Sequence, residues 1–242
     1  MKNIIAVIPA RYESSRFPGK PLAMINNKPM IQWVYEKVKK VDEIKDVYVA
    51  TDDDRIVNAV MNFGGKVIMT SKNHKSGSDR INEAINKIAD DIDIVLNIQG
   101  DEPMIKIEMI KTLISAFNDE SVYMATLKKK LYSENDINNP NIAKVITDIY
   151  DNAIYFSRST IPFNRDNIGS IGYFKHIGVY GYTKEFLVKF ASLDQGNLEV
   201  IEQLEQLRAI ENGYKIRVIE TEHDSIGVDL PEHISKVENL IK

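Results

Sequence analysis

Residues 4–22 read IIAVIPARYESSRFPGKPL, and this stretch decides the fold. Ile4-Ile5-Ala6-Val7-Ile8 is an unbroken apolar run closed by Pro9. Such a run suits a strand buried on both faces of a sheet. A polar loop follows, and then Met30 to Val41 reads as a helix, with Ile31, Val34, Val38 and Val41 at helical spacing and Pro29 at its start. Working outward, Val47 to Ala50 is a second strand, and Thr51 or Asp52 is placed to cap a helix carrying Ile56, Val57 and Val60. Gly64-Gly65 ends that helix and Lys66 to Met69 is a third strand. Ser78 to Ala89 presents Ile81, Ala84, Ile85 and Ile88 on one helical face, and Ile92 to Ile98 is the most apolar strand, expected at the centre. Four strand–helix alternations with short links predict an α/β fold with a mostly parallel, twisted sheet flanked by helices.

The second half reads differently. Ile142 to Thr147 and Ala153 to Ser157 form an expected antiparallel hairpin around a polar turn, Asp148 to Asn152. Lys175 to Tyr182 is a further strand, Asn197 to Glu211 a helix with Ile201, Leu204, Leu207 and Ile210 in register, Tyr214 to Ile219 a last strand, and Pro231 to Ile241 a terminal helix. With no repeat and no long linker, one domain with a smaller lobe at about residues 130–195 is expected.

The chain has 242 residues, 43% hydrophobic and 27% charged, which excludes a disordered chain. Cysteine is absent, which excludes a disulfide scaffold. The formal charge is −4, from 35 acidic and 31 basic residues, and disfavours nucleic acid as the main partner. The cationic run Lys128-Lys129-Lys130 reads as a solvated strand end. No apolar stretch approaches the roughly 18 residues that span a bilayer, and no signal-peptide pattern opens the chain, so a cytoplasmic protein without a membrane partner is expected.

The loop Pro9 to Pro21 places Arg11, Arg16 and Lys20 beyond the end of the first strand, where open α/β sheets bind ligands. Guanidinium groups match phosphate oxygens in pairs, and an ammonium is a compact point charge. Two readings fit: a polyphosphate site, or a basic loop solvated and tied to nearby acids. There is no G-x-G-x-x-G, which disfavours a dehydrogenase, and Pro21 stands where a P-loop needs Ser or Thr.

Acids close two other strands. Asn97-Ile98-Gln99-Gly100-Asp101-Glu102-Pro103 follows the central strand, and Gly227-Val228-Asp229 lies near the C-terminus. Either aspartate alone suits a helix cap. Together, facing a basic loop, Asp101 and Asp229 suit a magnesium ion (Mg2+) held between carboxylates and phosphates. Asp52-Asp53-Asp54 opens a helix and reads as capping. Zinc signatures and a G-x-S-x-G elbow are absent, and His74 and His233 read as surface residues.

Taken together, several segments resemble one family. They are Ile8 to Arg11 with Ser14, Arg16 and Pro18 to Leu22; Ala50 to Asp53; Ser76 to Arg80; Asn97 to Pro103; Tyr155 to Ser159 with Ile161-Pro162; His176 to Tyr180; Leu204 to Arg208; and Gly227 to Asp229 with Pro231-Glu232. Their order and spacing resemble the sugar-acid cytidylyltransferases, and most closely those acting on 3-deoxy-manno-octulosonate (Kdo), over about residues 4–238. The resemblance implies a Rossmann-like nucleotide-sugar transferase fold with a dimerisation lobe. It implies a homodimer that converts CTP and Kdo to CMP-Kdo and pyrophosphate for lipopolysaccharide assembly. It also implies roles. Arg11, Arg16 and Lys20 would hold the triphosphate, Ser14 and Arg80 would place the nucleotide, and Gln99 would lie beside nucleotide and sugar. Asp101 and Asp229 would bind magnesium, and Arg158, Arg165, His176, Tyr180, Glu205 and Gln206 would line the sugar pocket. Lys20, Arg11, Asp101 and Asp229 would carry the catalysis. The chain departs from the family at Ser78 and Leu230, where Thr is usual, and at His233, where Asp is usual. The alternatives are the same reaction on 8-amino-Kdo or another sugar acid, and a non-catalytic nucleotide-binding module, which the presence of Lys20, Asp101 and Asp229 disfavours.

Overall fold

Strand β1 (Ile4–Ala10) is buried along nearly its whole length, as its composition requires. Alternate side chains leave opposite faces of a strand. Ile4, Ala6, Ile8 and Ala10 join one core cluster, while Ile5 and Val7 join another. Each fully buried aliphatic side chain here contributes roughly 1.5–3 kcal/mol. The computed structural model describes residues 2–13, 17–74, 76–88, 91–169 and 172–241.

Short strands β2 (Met24–Ile25) and β3 (Lys28–Pro29) pair with each other ahead of α1 (Met30–Val38). Then come β4 (Ile44–Thr51), α2 (Asp54–Asn62), β5 (Lys66–Met69), α3 (Gly77–Asn86), β6 (Ile94–Asn97) and α4 (Ile107–Ser115). The second half holds β7 (Met124–Leu131), α5 (Glu134–Ile137), β8 (Lys144–Thr147), β9 (Ala153–Ser157), β10 (Tyr173–Thr183) and α6 (Lys184–Ala191). It ends with α7 (Asn197–Glu202), α8 (Leu207–Glu211), β11 (Arg217–Glu220) and α9 (His233–Leu240).

The main sheet runs β11-β7-β10-β6-β1-β4-β5, with β8 and β9 attached beside β10. The pairings give β10 and β9 the opposite direction to the rest, so the sheet is mixed and mostly parallel. Helices α1, α2 and α4 cover one face through Val34, Val60 and Leu113, among others. Helices α3, α6 and α8 cover the other through Ile81, Phe186 and Leu207. From β1 the chain moves outward to β4 and β5, then returns to add β6 on the other side. The crevice at this reversal lies above the carboxyl ends of β1 and β6, where doubly wound sheets place ligands.

Three local expectations need correction. Asp53, rather than Thr51 or Asp52, caps α2, accepting from the backbone N–H of Arg55. Residues 197–211 do not form one helix, because Gln203 adopts a left-handed conformation (φ 53°) and separates α7 from α8. The break lets Glu199 grip Arg208 through two hydrogen bonds of 2.8 and 2.7 Å. In an unbroken helix, nine residues would set them on opposite faces about 13–14 Å apart along the axis. Lys128 is not solvated; it is buried in β7 and paired with Asp151 at 2.8 Å. Within 130–195, the β8–β9 hairpin hangs from one end of β10, whereas the other end of β10 and α6 belong to the main layers.

Candidate active site

The loops after β1 and β6 meet at close range. A Cβ added to Gly100 would lie 3.2 Å from the Pro9 carbonyl oxygen and 3.1 Å from Ile31, so a side chain there would force the loops apart. Above this contact lies a cavity of about 420 Å³ lined by Arg11, Lys20, Ser76, Gly77, Gln99 and Asp101, among others. Lys20, at the start of a single 3-10 turn (Lys20–Leu22), points its ammonium at both aspartates. Its Nζ is 2.5 Å from Asp101 Oδ2 and 3.7 Å from Asp229 Oδ1. Neither aspartate is a helix cap: Lys106 occupies the N-cap position of α4 and Glu232 that of α9. The two acidic loops are tied together, because the Val228 N–H donates to the Asp101 carbonyl at 2.9 Å. The Asp229 N–H in turn donates to His233 Nδ1 at 3.2 Å, so His233 supports the loop instead of standing free on the surface.

Two carboxylates already converge on one cation, which is the donor arrangement a magnesium ion takes when substrate phosphates complete its oxygen shell. Among the described residues no group of three or more His, Cys, Asp or Glu could hold a metal by itself. The residues therefore fit an ion shared with a phosphate ligand and not a closed protein cage.

Arg11 is half-buried in the same cavity. Burial, and after it the neighbouring Arg80, makes its cation less favourable, while Asp52, Asp79 and Glu205 act in the opposite sense. An anionic ligand would relieve that cost. Arg80 itself is fully enclosed, donating to Thr70 Oγ1 at 2.6 Å and Asp52 Oδ2 at 2.7 Å. It braces the floor under Arg11 and does not line the cavity, a placement that its expected nucleotide role did not foresee. Gln99 lines the cavity and donates to Asn97 Oδ1 at 3.1 Å. Ser14 and Arg16 lie outside the described residues.

A second group gathers on β10 and the start of α8. A bulge between Ile177 and Tyr180 changes the register of β10 against β7. Bulges re-aim side chains, and here His176 and Tyr180 come together, their rings 5.4 Å apart. Tyr180 Oη donates to Gln206 Oε1 at 2.9 Å. The Gln206 amide nitrogen lies 3.5 Å from His176 Nδ1, and His176 Nε2 lies 3.0 Å from Thr126 Oγ1. Burial pushes the His176 pKa down to about 3. The ring is therefore neutral, and this network assigns its proton to Nε2. Glu205 is held above its ordinary pKa by burial, against the pull of Ser76, Arg208 and Ser78. Together with Ser76 it lines an adjoining cavity of about 420 Å³, and Ser76 lines both cavities.

Two expected sugar ligands stand elsewhere. Arg158 donates to the carbonyl oxygens of Glu202 (2.8 Å) and Pro140 (3.3 Å). The carboxylate of Glu202 fixes the neighbouring Ser157 hydroxyl at 2.6 Å and the Arg158 N–H at 2.9 Å. Arg158 thus satisfies carbonyls at the end of α7, which lack partners within the helix. Arg165 is exposed on the loop after β9. Sequence reasoning also missed the anchor of the Asp229 loop. Lys129 and Lys175 both pair with Asp224, five residues before Asp229. The one signal for it was the lysine run itself. His74 is likewise no free surface residue, since it pairs with Glu83.

Residues 5–216 match the cytidylyltransferase family model. A 3-deoxy-manno-octulosonate cytidylyltransferase from Fusobacterium nucleatum is 53% identical over 241 residues, 99% of this chain and 97% of that protein. An 8-amino-3,8-dideoxy-manno-octulosonate cytidylyltransferase from Shewanella pealeana is 52% identical over 236 residues, 96% of each. Among solved structures, a CMP:2-keto-3-deoxy-manno-octonic acid synthetase complexed with CTP superposes with a TM-score of 0.94 at 42% identity, covering 99% of this chain and 98% of the other. A 4-diphosphocytidyl-2C-methyl-D-erythritol synthase from Anaerococcus prevotii shares the fold alone, at 14% identity and a TM-score of 0.66, covering 99% of this chain and 98% of that one. The chain belongs to the cytidylyltransferase family and, within it, to the group formed by the 3-deoxy-manno-octulosonate enzymes and their 8-amino counterparts.

Proposed function

We propose that the chain transfers a cytidylyl group from CTP to the anomeric hydroxyl of 3-deoxy-manno-octulosonate, releasing pyrophosphate. The observation that carries this reading is the convergence of Lys20, Asp101 and Asp229 in the crevice above β1 and β6. In a chain 53% identical to a Kdo enzyme and superposable on a CTP-bound synthetase, that crevice is the place for a triphosphate. The sugar oxygen forms the new bond to the α-phosphorus as the bond to the bridging oxygen breaks and pyrophosphate departs. Catalysis of such a transfer is mainly positioning and charge stabilisation.

Lys20 and Arg11 bind the triphosphate and stabilise the negative charge that gathers on the leaving pyrophosphate. Lys20 exchanges its contact with Asp101 for phosphate oxygens, which frees the carboxylate. Asp101 and Asp229 would then hold magnesium. When bound, the ion supplies charge neutralisation for the phosphates and Lewis acidity. Gln99 orients the ligand from the β6 side. Glu205 lines the adjoining cavity, and the neutral His176, Tyr180 and Gln206, hydrogen-bonded to one another, would offer donors and acceptors to sugar hydroxyls.

Among the described residues no helix is long and apolar enough to cross a membrane. We infer a cytoplasmic reaction whose product would serve lipopolysaccharide assembly. A homodimer joined through the lobe fits the outward-facing Tyr132, Phe163 and Ile168, which are 82%, 85% and 66% exposed. Static light scattering at twice the chain mass supports that dimer; the single-chain mass removes it.

Pyrophosphate release from CTP and Mg2+ is the test, with Kdo, 8-amino-Kdo and a sialic acid compared side by side. Release with Kdo is expected, and Asp101→Asn should abolish it while the variant stays folded. Release with the amino sugar alone would move the chain to the sister activity that the Shewanella relative's name describes. No release with any sugar, from a folded protein that binds CTP, would sink the catalytic reading. Near-normal turnover in Asp101→Asn would remove the metal assignment.

A further inference from the structure

The acidic run Asp52-Asp53-Asp54 opens α2, but capping accounts for only part of it. Asp52 holds Arg80 beneath the phosphate loop. Asp53 has a second task besides its cap: its two carboxylate oxygens accept from Arg55 Nε at 2.8 Å and Nη2 at 2.6 Å. This fork fixes the Arg55 guanidinium 3.2 Å from the centre of the Tyr12 ring. A guanidinium stacked on an aromatic face is attracted by the ring quadrupole, and its planar fork loses little freedom once a carboxylate holds it.

Tyr12 opens the loop that separates Arg11 from Lys20. Its carbonyl accepts the Gly19 N–H at 2.8 Å and closes the neck of that loop. Its ring also packs on Gly19, where an added Cβ would lie 3.2 Å from Tyr12 Cζ and 3.3 Å from the hydroxyl oxygen. Gly19 has φ of 71°, a left-handed conformation that glycine adopts without penalty. Arg11 precedes one side of this neck and Lys20 follows the other. A ring that could swing away would loosen both cations together.

We propose that Arg55, held by Asp53 and stacked on Tyr12, is a positioning residue for the nucleoside triphosphate, keeping the Tyr12–Gly19 neck closed so that Arg11 and Lys20 stay aligned on the phosphates. Arg55 does not line the cavity that holds those cations, and it acts through Tyr12. The inference rests on the nucleotidyl transfer proposed above.

Steady-state kinetics and amide-resolved hydrogen exchange of Arg55→Ala and Arg55→Lys test it. In Arg55→Ala the KM for CTP should rise about fivefold, the scale of one lost cation–aromatic contact. Its kcat should fall as well, because Arg11 and Lys20 also stabilise the leaving pyrophosphate, whereas its KM for the sugar should stay within about twofold of the parent. Exchange at the Gly19 amide should quicken while β1 and β4 keep their protection. Arg55→Lys keeps a cation but loses the forked grip of Asp53, and should fall between the two. An unchanged KM for CTP overturns the proposal, as does an equal rise in both KM values. Unchanged Gly19 exchange in Arg55→Ala overturns it without reference to catalysis. Should the parent protein fail to turn over CTP, that exchange result still decides the neck, and the loss of turnover counts against the reaction alone.

Discussion

His176 shows how one side chain records the character of the site. Burial holds its pKa near 3, below the ordinary 6.5, so the folded state favours the neutral ring. The unfolded chain takes up a proton at higher pH than the folded one. Stability from this group is therefore complete above about pH 6.5 and is lost as pH falls toward 3, at up to about 1.4 kcal/mol per unit. His176→Gln should lower stability at pH 7 yet flatten the decline between pH 7 and pH 5, as followed by urea denaturation. An identical slope in parent and variant would show that another group carries the acid sensitivity. At this scale, residues on loops directly after strands were legible. Lys20, Asp101 and Asp229 meet because α/β topology gathers such loops at one end of the sheet. Arg158 and Arg80 were not legible, since each is engaged by groups distant in sequence: Pro140 and Glu202 for the first, Asp52 for the second. A sequence motif marks where an arginine stands along the chain and leaves open which carbonyl or carboxylate will take it.

Among the elements, α7 and α8 carry the most informative misreading. Ile201, Leu204, Leu207 and Ile210 satisfy a helical period across the whole segment, yet Ile201 is 77% exposed while Leu204 and Leu207 are buried. Periodicity reports which faces are apolar; it is blind to a single residue turned left-handed, as Gln203 is. What the break achieves is the enclosed Glu199–Arg208 pair, which holds the start of α8 and so the positions of Glu205 and Gln206. Removing Glu199 leaves the buried Arg208 only the longer contact with Glu205 at 3.9 Å to compensate its charge. Glu199→Gln should cost about 3 kcal/mol in a urea titration, near the lower end for such pairs. It should also weaken sugar binding more than CTP binding. A loss under about 1 kcal/mol would mean that solvent reaches Arg208 and that the pair is dispensable. Elements with local signals were read more faithfully. The β8–β9 hairpin falls where its polar turn predicts, whereas α3, expected from Ser78, opens one residue earlier at Gly77 behind a reciprocal cap between Ser76 and Asp79.

For the whole molecule, the order β5-β4-β1-β6-β10 brings an antiparallel strand against β6, so the crevice holding Lys20 and Asp101 and the His176–Tyr180 group share one rim of the sheet. That adjacency was only partly legible, because parallel pairing follows from strand–helix alternation, whereas the insertion of β10 between β6 and β7 is a long-range choice. A ligand seated across this rim contacts loops from β1, from β6 and from the Asp229 segment, and therefore binds only the folded chain. Linkage then makes stability a measure of the site: ligand at 100 times its Kd adds about 2.7 kcal/mol. For a chain of this length that corresponds to about 5–10 °C in Tm. CTP with Mg2+ should raise Tm by this amount, and CTP with chelator by distinctly less, because Lys20 and Arg11 still bind phosphate but the aspartates then face it unshielded. Asp101→Asn separates the contributions. It removes a negative charge beside the phosphates, so CTP alone should stabilise this variant at least as well as the parent, while the additional shift from Mg2+ should shrink. Equal shifts with and without Mg2+ in the parent would mean that Lys20 alone neutralises the acidic pair and that the aspartates hold no metal with the nucleotide.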